Sequence, residues 1–163
     1  MGMLSQYMCE RAKGTRHAIV IDPADQSPDV AANRALAAAH AGSQMILVGG
    51  SSDTDMKNVH ATIVAIKEAL ELVTWASSQD SDSDENPSQI PVVLFPQGAA
   101  ALSPAADGIT FMMLMNSKDP RFLIGEQVRG APFVKKSGIE PVPMGYLICE
   151  PGGKAGAVSY THL

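Results

Sequence analysis

Cysteine is nearly absent from this chain. Its two cysteines, Cys9 and Cys149, lie near opposite ends and share no motif. That excludes a disulfide framework and a zinc-type ligand spacing, and it fits a reducing, cytoplasmic setting. Positive charge is in deficit: 12 basic against 17 acidic side chains leave a net charge of −5. A broadly basic surface is therefore excluded, and with it nucleic acid as a partner. No apolar run reaches the ~20 residues of a membrane span, and the opening MGMLSQYMCERAKG lacks an apolar signal core. A membrane role would be peripheral, or exercised through a lipid-like substrate. The phosphate-binding fingerprints GxGxxG and GxxxxGK[ST] are missing. His17, His40 and His60 are scattered, so no Ser–His–Asp or Cys–His arrangement can be assigned from spacing.

What is present points to a layered α/β domain. With 163 residues, 45% of them hydrophobic, the chain can bury a sizeable core. Five short runs read as strands: 17–21 (HAIVI), 45–48 (MILV), 91–95 (PVVLF), 108–112 (GITFM) and 144–149 (MGYLIC). Most are continuously apolar rather than alternating, which suits strands covered on both faces of a parallel sheet.

Helical patterns separate several of these runs. Ser27 is a helix cap with Pro28 in the first position and Asp29 next, followed by an alanine-rich stretch that stops at Gly42. A second helix runs from about Asp55 to Trp75, with Val59, Ile63, Ile66, Leu70 and Val73 on one face. A third spans about 120–136 and should be interrupted or displaced at Pro132. Residues 77–89 (SSQDSDSDENPSQ) form a polar surface insert that extends the second helix; its carboxylates lack an ordered ligand spacing. Strand–helix–strand alternation implies right-handed crossovers in one parallel α/β domain over 1–163.

Parallel α/β folds bind ligands beyond the carboxyl ends of their strands. Here the five ends carry Asp22-Pro23, Gly49-Gly50-Ser51-Ser52, Phe95-Pro96-Gln97-Gly98, Asn116-Ser117 and Glu150-Pro151-Gly152-Gly153. Together they describe a polar mouth above a packed sheet. Asp22 is the best candidate ligand for a hard cation. Mg²⁺ takes one or two carboxylates and leaves positions for phosphate and water, and Ser51 on the adjacent strand end could complete the protein's share. The glycines before Ser51 would let backbone approach a ligand. An aspartate after a strand is also an ordinary turn or cap residue, and GGSS an ordinary turn. Met112, Met113, Met115 and Met144 read as core, or as the lining of a greasy groove.

With those residues in view, the chain resembles the geranylgeranylglyceryl phosphate synthase family, the ether-lipid prenyltransferases. The matching stretches are HAIVIDPAD at 17–25, AGSQMILVGGSS at 41–52, and nearly all of 90–153, from IPVVLFPQG through NSKDPRFLIG to GYLICEPGG. The resemblance implies a (βα)₈ TIM barrel and Mg²⁺-dependent transfer of a geranylgeranyl group. Geranylgeranyl diphosphate would be the donor, and the 3-hydroxyl of sn-glycerol 1-phosphate the acceptor. It places the metal on Asp22 and Ser51, an acceptor contact on Tyr146, and Glu150 nearby. It also implies a homo-oligomer at full length. A whole barrel takes ~200–250 residues, so the expectation is an incomplete barrel of about five βα units. The family's later phosphate-binding loops and catalytic glutamate have no counterpart here, and the fragment itself would turn over poorly. Without the resemblance, a flavodoxin-like doubly wound module that holds a phosphorylated ligand would fit this size. Strand order separates the two: 1-2-3-4-5 for the partial barrel, 2-1-3-4-5 for the module.

Overall fold

The computed structural model describes residues 2–10, 14–50, 52–80 and 90–160. Its elements are α1 (Met3–Cys9), β1 (Ala18–Ile21), α2 (Pro28–His40), β2 (Met45–Gly49), α3 (Met56–Asp80), β3 (Val92–Phe95), β4 (Gly108–Leu114), a π-helical turn (Arg121–Gly125), α4 (Glu126–Ser137), β5 (Glu140–Tyr146) and α5 (Gly153–Ala157). The five strands form one sheet in the order β1-β2-β3-β4-β5, and every pairing is parallel. Sequential order is the barrel order, so the flavodoxin-like alternative is overturned. The crossover helices α2, α3 and α4 lie on one face of the sheet, as in the first units of a (βα)₈ barrel.

Strand parity divides the core into two layers. Ile21, Ile46, Val48, Val92, Leu94 and Ile109 pack outward against Ala31 and Ala35 of α2, Val59, Ile63 and Ile66 of α3, and Val134 of α4. The alternate residues Met45, Val93 and Val142 point inward and pack with Leu4 of α1. The alanine row of α2 keeps that helix close to the sheet and to α3. Of the five predicted α3 anchors, Val59, Ile63, Ile66 and Leu70 are buried and Val73 is half-buried.

Three boundaries differ from the sequence reading. α4 runs through Pro132 without a break; the irregularity is the π-helical turn before it, where Glu126 N–H donates to Arg121 O. The fifth strand begins at Glu140, not 144, and ends at Tyr146. Its EPVP start reads as strand-breaking. Yet Tyr146 O accepts a bond from Met115 N–H at 2.9 Å, so the even-numbered residues face β4. Pro141 and Pro143 then turn their missing N–H groups to the other side, where β4 asks for no donor. Finally, α3 continues to Asp80, so the first residues of the polar 77–89 stretch are helical; 81–89 lie outside the described residues.

Candidate active site at the mouth of the barrel

Asp22 is the first residue past β1. Ile19 and Ile21 pack on the helix side, so Asp22 falls on the inward parity, above Val20. Its loop is held from two directions. Gln26 Nε2 donates to Asp22 O at 2.6 Å, and Asn58 Nδ2 of α3 donates to Pro23 O at 2.8 Å. Asp55 fixes Asn58 in turn, by accepting its N–H at 2.7 Å on Oδ1 as the cap of α3. One carboxylate oxygen of Asp22, Oδ1, accepts Ala24 N–H at 3.0 Å. The other, Oδ2, lies where a β-carbon on Gly50 would be.

That contact explains the abrupt end of MILVGG. Gly49 has φ 137°, and a β-carbon there would collide with the backbone carbonyl of Phe95 on β3. Only glycine fits such a backbone. Gly50 then leaves room for the Asp22 carboxylate. The end of β2 is thus folded against the end of β1, and Asp22 sits beside the residue that precedes Ser51. Ser51 itself lies outside the described residues.

Tyr146 closes the opposite side. It is the last residue of β5 and shares its parity with Val142 and Met144, on the inner face. Its ring lies 6.4 Å from that of Phe95, although β4 runs between the two strands. Side chains from alternate strands meet this way only across the concave face of a curled sheet. Burial pushes the Tyr146 phenol up from its ordinary value, so it stays protonated at neutral pH and can donate to a phosphate or hydroxyl oxygen. Glu150 is exposed in the loop that follows β5.

A partly apolar cleft opens beside Tyr146, toward the helix side and α4. It lies over the ends of β3 and β4 and is lined by Leu102, Phe111, Met112, Phe122 and Tyr146, with Glu126 and Gln97 at its polar side. Glu126 shapes it: its carboxylate accepts Ala99 N–H at 2.7 Å and pairs with Arg121 and Arg129, each at 2.7 Å. Burial opposes its charge, but those bonds and cations outweigh it and hold the Glu126 carboxyl below the usual range. Of the methionines read as core, Met144 packs on the inner cluster and Met112 lines the cleft. Met113 and Met115 are instead exposed, at 38% and 56%.

Comparison with known proteins agrees with this geometry. The model of the PcrB family matches residues 72–163, more than half of the chain. The chain belongs to the PcrB family. Among curated proteins it is similar to the geranylgeranylglyceryl phosphate synthase of Methanococcoides burtonii, with 42% identity over 157 residues, or 95% of this chain and 56% of that one. That of Thermofilum pendens is 36% identical over 162 residues, 98% of this chain and 56% of the relative. Among solved structures, wild-type GGGPS from Thermoplasma volcanium superposes with a TM-score of 0.79 at 38% identity, covering all of this chain and 58% of that one. The enzyme from Thermoplasma acidophilum, solved in complex with substrate sn-glycerol-1-phosphate, gives 0.80 at 33% identity, with 100% and 59% covered. This PcrB-family chain therefore spans about half the length of the curated relatives it matches, and its sheet is an incomplete TIM barrel.

Several residues at this PcrB-family mouth carried no recognisable signal in the sequence. Asn58 and Glu126 act on loops far from them in the chain, and Lys154 of α5 reaches Ser52 beyond β2, its Nζ donating to Oγ at 3.4 Å. Among the described residues, no group of three or more His, Cys, Asp or Glu side chains is placed to hold a metal ion.

Proposed function

We propose that this chain carries about the first half of a prenyltransferase that joins a geranylgeranyl group to sn-glycerol 1-phosphate. The observation that carries the reading is the convergence of Asp22, the Gly49–Gly50 turn and Tyr146 on the inner side of the strand ends. Relatives named geranylgeranylglyceryl phosphate synthase, one of them solved with sn-glycerol-1-phosphate, supply the substrate class.

In this reading Asp22 and Ser51 would hold Mg²⁺. Gly50 fits that role, because the absence of a side chain lets the Asp22 carboxylate lie against the backbone that leads to Ser51. The ion supplies charge neutralisation to the diphosphate, worth several kcal/mol when a phosphate ester leaves. The chain's own residues do the rest. Backbone at Gly49–Gly50 approaches the diphosphate without steric cost. The apolar cleft of Leu102, Phe111, Met112 and Phe122 takes part of the prenyl tail and keeps water from the allylic carbon. The protonated Tyr146 phenol orients the acceptor. The C1–oxygen bond to diphosphate breaks with its electron pair leaving on diphosphate. The 3-hydroxyl of the glycerol phosphate forms the new ether bond and gives up its proton to a base. The protein would act in the cytoplasm, as a homo-oligomer at full length, touching membrane only peripherally. Among the described residues no helix is long and apolar enough to cross one.

The test is prenyl transfer from geranylgeranyl diphosphate in a full-length version. Asp22→Ala should lower Mg²⁺-dependent product at least 100-fold, about 2.7 kcal/mol in the barrier. Product formed at an unchanged rate by that variant would overturn the assignment.

A further inference from the structure

The loop after β5 is tied at both ends by one side chain that the reading above does not use. Asn116, past the end of β4, is 8% exposed. Its Nδ2 donates to Ile148 O at 2.8 Å and to Tyr160 O at 2.6 Å, while its Oδ1 accepts Ile148 N–H at 3.1 Å. Its own carbonyl accepts Tyr160 N–H at 2.8 Å. Ser117 extends the seam: its Oγ donates to Val158 O at 3.2 Å, and its backbone bridges antiparallel to that of the buried Ser159. Lys118 N–H donates to Val158 O at 2.7 Å. The excursion 148–160 is thereby closed into a ring whose neck is Asn116.

Within that ring, Gly152 and Gly153 both take positive φ, 52° and 55°, and turn the chain back over the mouth. The next residue is Lys154. Its ammonium reaches Ser52, two residues past the glycine that abuts Asp22. A loop rooted at β5 thus delivers a cation to the rim of β2. A lysine on a free loop of this glycine content would spend little time there, because ordering each residue costs about 1–2 kcal/mol.

We propose that Asn116 is a positioning residue, which clasps the 148–160 loop so that Lys154 is held over the mouth as the cation for a phosphoryl group. This rests on the prenyl-transfer reading for the class of ligand, and it adds the residue that receives the ligand's charge and the one that holds it in place. Asn suits the neck because a single amide supplies two donors and an acceptor, whereas an ionised aspartate has no donor and serine only one. The phosphoryl group belongs either to the glycerol phosphate acceptor or to the diphosphate of the donor; both are dianionic or more and match a lysine point charge.

The experiment uses the 163-residue chain, with sn-glycerol 1-phosphate and Mg²⁺–inorganic diphosphate as separate probes, titrated by calorimetry. Amide exchange is followed in parallel. Asn116→Ala should speed exchange at 147–157 at least tenfold while β1–β3 amides stay unchanged, and should weaken one probe about tenfold. Lys154→Ala should weaken the same probe by the same factor with exchange unaltered, and the double variant should be no weaker than either single one. The probe that responds identifies the phosphoryl source. If Asn116→Ala does not fold, Asn116→Asp keeps the acceptor for Ile148 N–H and loses both donations, and should show the same pattern at smaller amplitude. Unchanged loop exchange in the Asn116 variants overturns the clasp. Variants that bind both probes as tightly as the parent overturn the proposal and leave the prenyl-transfer reading standing. A parent chain that binds neither probe overturns the assignment of Lys154 to a phosphoryl group, and the prenyl-transfer reading is then decided separately by the full-length Asp22→Ala test.

Discussion

The two ends of the same sheet are built on opposite principles. At the amino-terminal end the inner face is sealed by α1, whose Leu4 packs with Met45, Val93 and Val142, flanked by Tyr7 and Met8. Polar groups there serve closure: Glu140 accepts Leu4 N–H at 2.7 Å, Ser5 N–H at 2.9 Å and Ser5 Oγ–H at 2.6 Å, and Tyr7 Oη donates to Gln44 O at 2.7 Å. At the carboxyl end the inner residues give way to Asp22, glycines and Tyr146, and the bonds hold loops open around a space. One end contributes stability and the other keeps chemistry accessible, a division expected of strand ends in this architecture. Substitutions should therefore divide between the ends, stability at one and binding at the other.

The largest expected effect breaks that division, because it is a stability effect at the mouth. Gly49→Ala forces a side chain onto φ 137° and drives its β-carbon into the Phe95 carbonyl. Strain of about 1–3 kcal/mol and a comparable overpacking cost should add, to roughly 2–6 kcal/mol. Urea unfolding measures it. A loss under 1 kcal/mol would mean that the β2–β3 rim is not packed as described. Gly50→Ala is the control, since its β-carbon meets only the movable Asp22 carboxylate.

Next comes the sealed end. Leu4 is 4% exposed, and a β-carbon at Gly108 would strike it. Leu4→Ala should cost about 2–3 kcal/mol and leave ligand binding at the mouth unchanged. Weakened binding without lost stability would invert the roles of the two ends.

The same contrast separates what could be read from the sequence. Outer-layer positions were legible because strands and helices announce them by period: the α3 stripe and the Ser27–Pro28 helix start are local patterns. The place of Asp22 at the mouth was legible because it follows a strand directly, and the turn at the end of β2 because the positive φ of Gly49 leaves a compositional trace. The start of β5 was not, since prolines on one side of a strand look like breakers until the pairing is known. Nor could α1 be read as a plug. Its partner Glu140 is separated from Leu4 by 136 positions, and no local period encodes such a pairing. Asn116 and Lys154 belong to the same class, being side chains whose partners lie on other strand ends.

The smallest effect sharpens the comparison by pH. Burial pushes the Glu140 carboxyl up, but bonds from Ser5 hydroxyl, Ser5 N–H and Leu4 N–H outweigh it and hold it below the usual carboxylate range. A carboxyl with a lowered folded pKa stabilises the fold above its unfolded value. That contribution is lost as pH falls through the folded value. Glu140→Gln keeps one acceptor but loses the charge, a difference of about 1 kcal/mol for bonds to an ionised group. The variant should therefore be less stable than the parent at pH 7, and the two should converge only once the pH has fallen through the parent's lowered folded value, where its carboxylate is itself protonated. Exchange should rise first at Leu4 and Ser5, because their amides lose the partner. Tyr146 and the Asp22 loop should keep the parent's protection, since they draw no bond from α1. A gap that persisted into acid would show that Glu140 acts through shape rather than charge. Faster exchange at the mouth would show that the two ends are coupled through the Met45–Val93–Val142 layer between them.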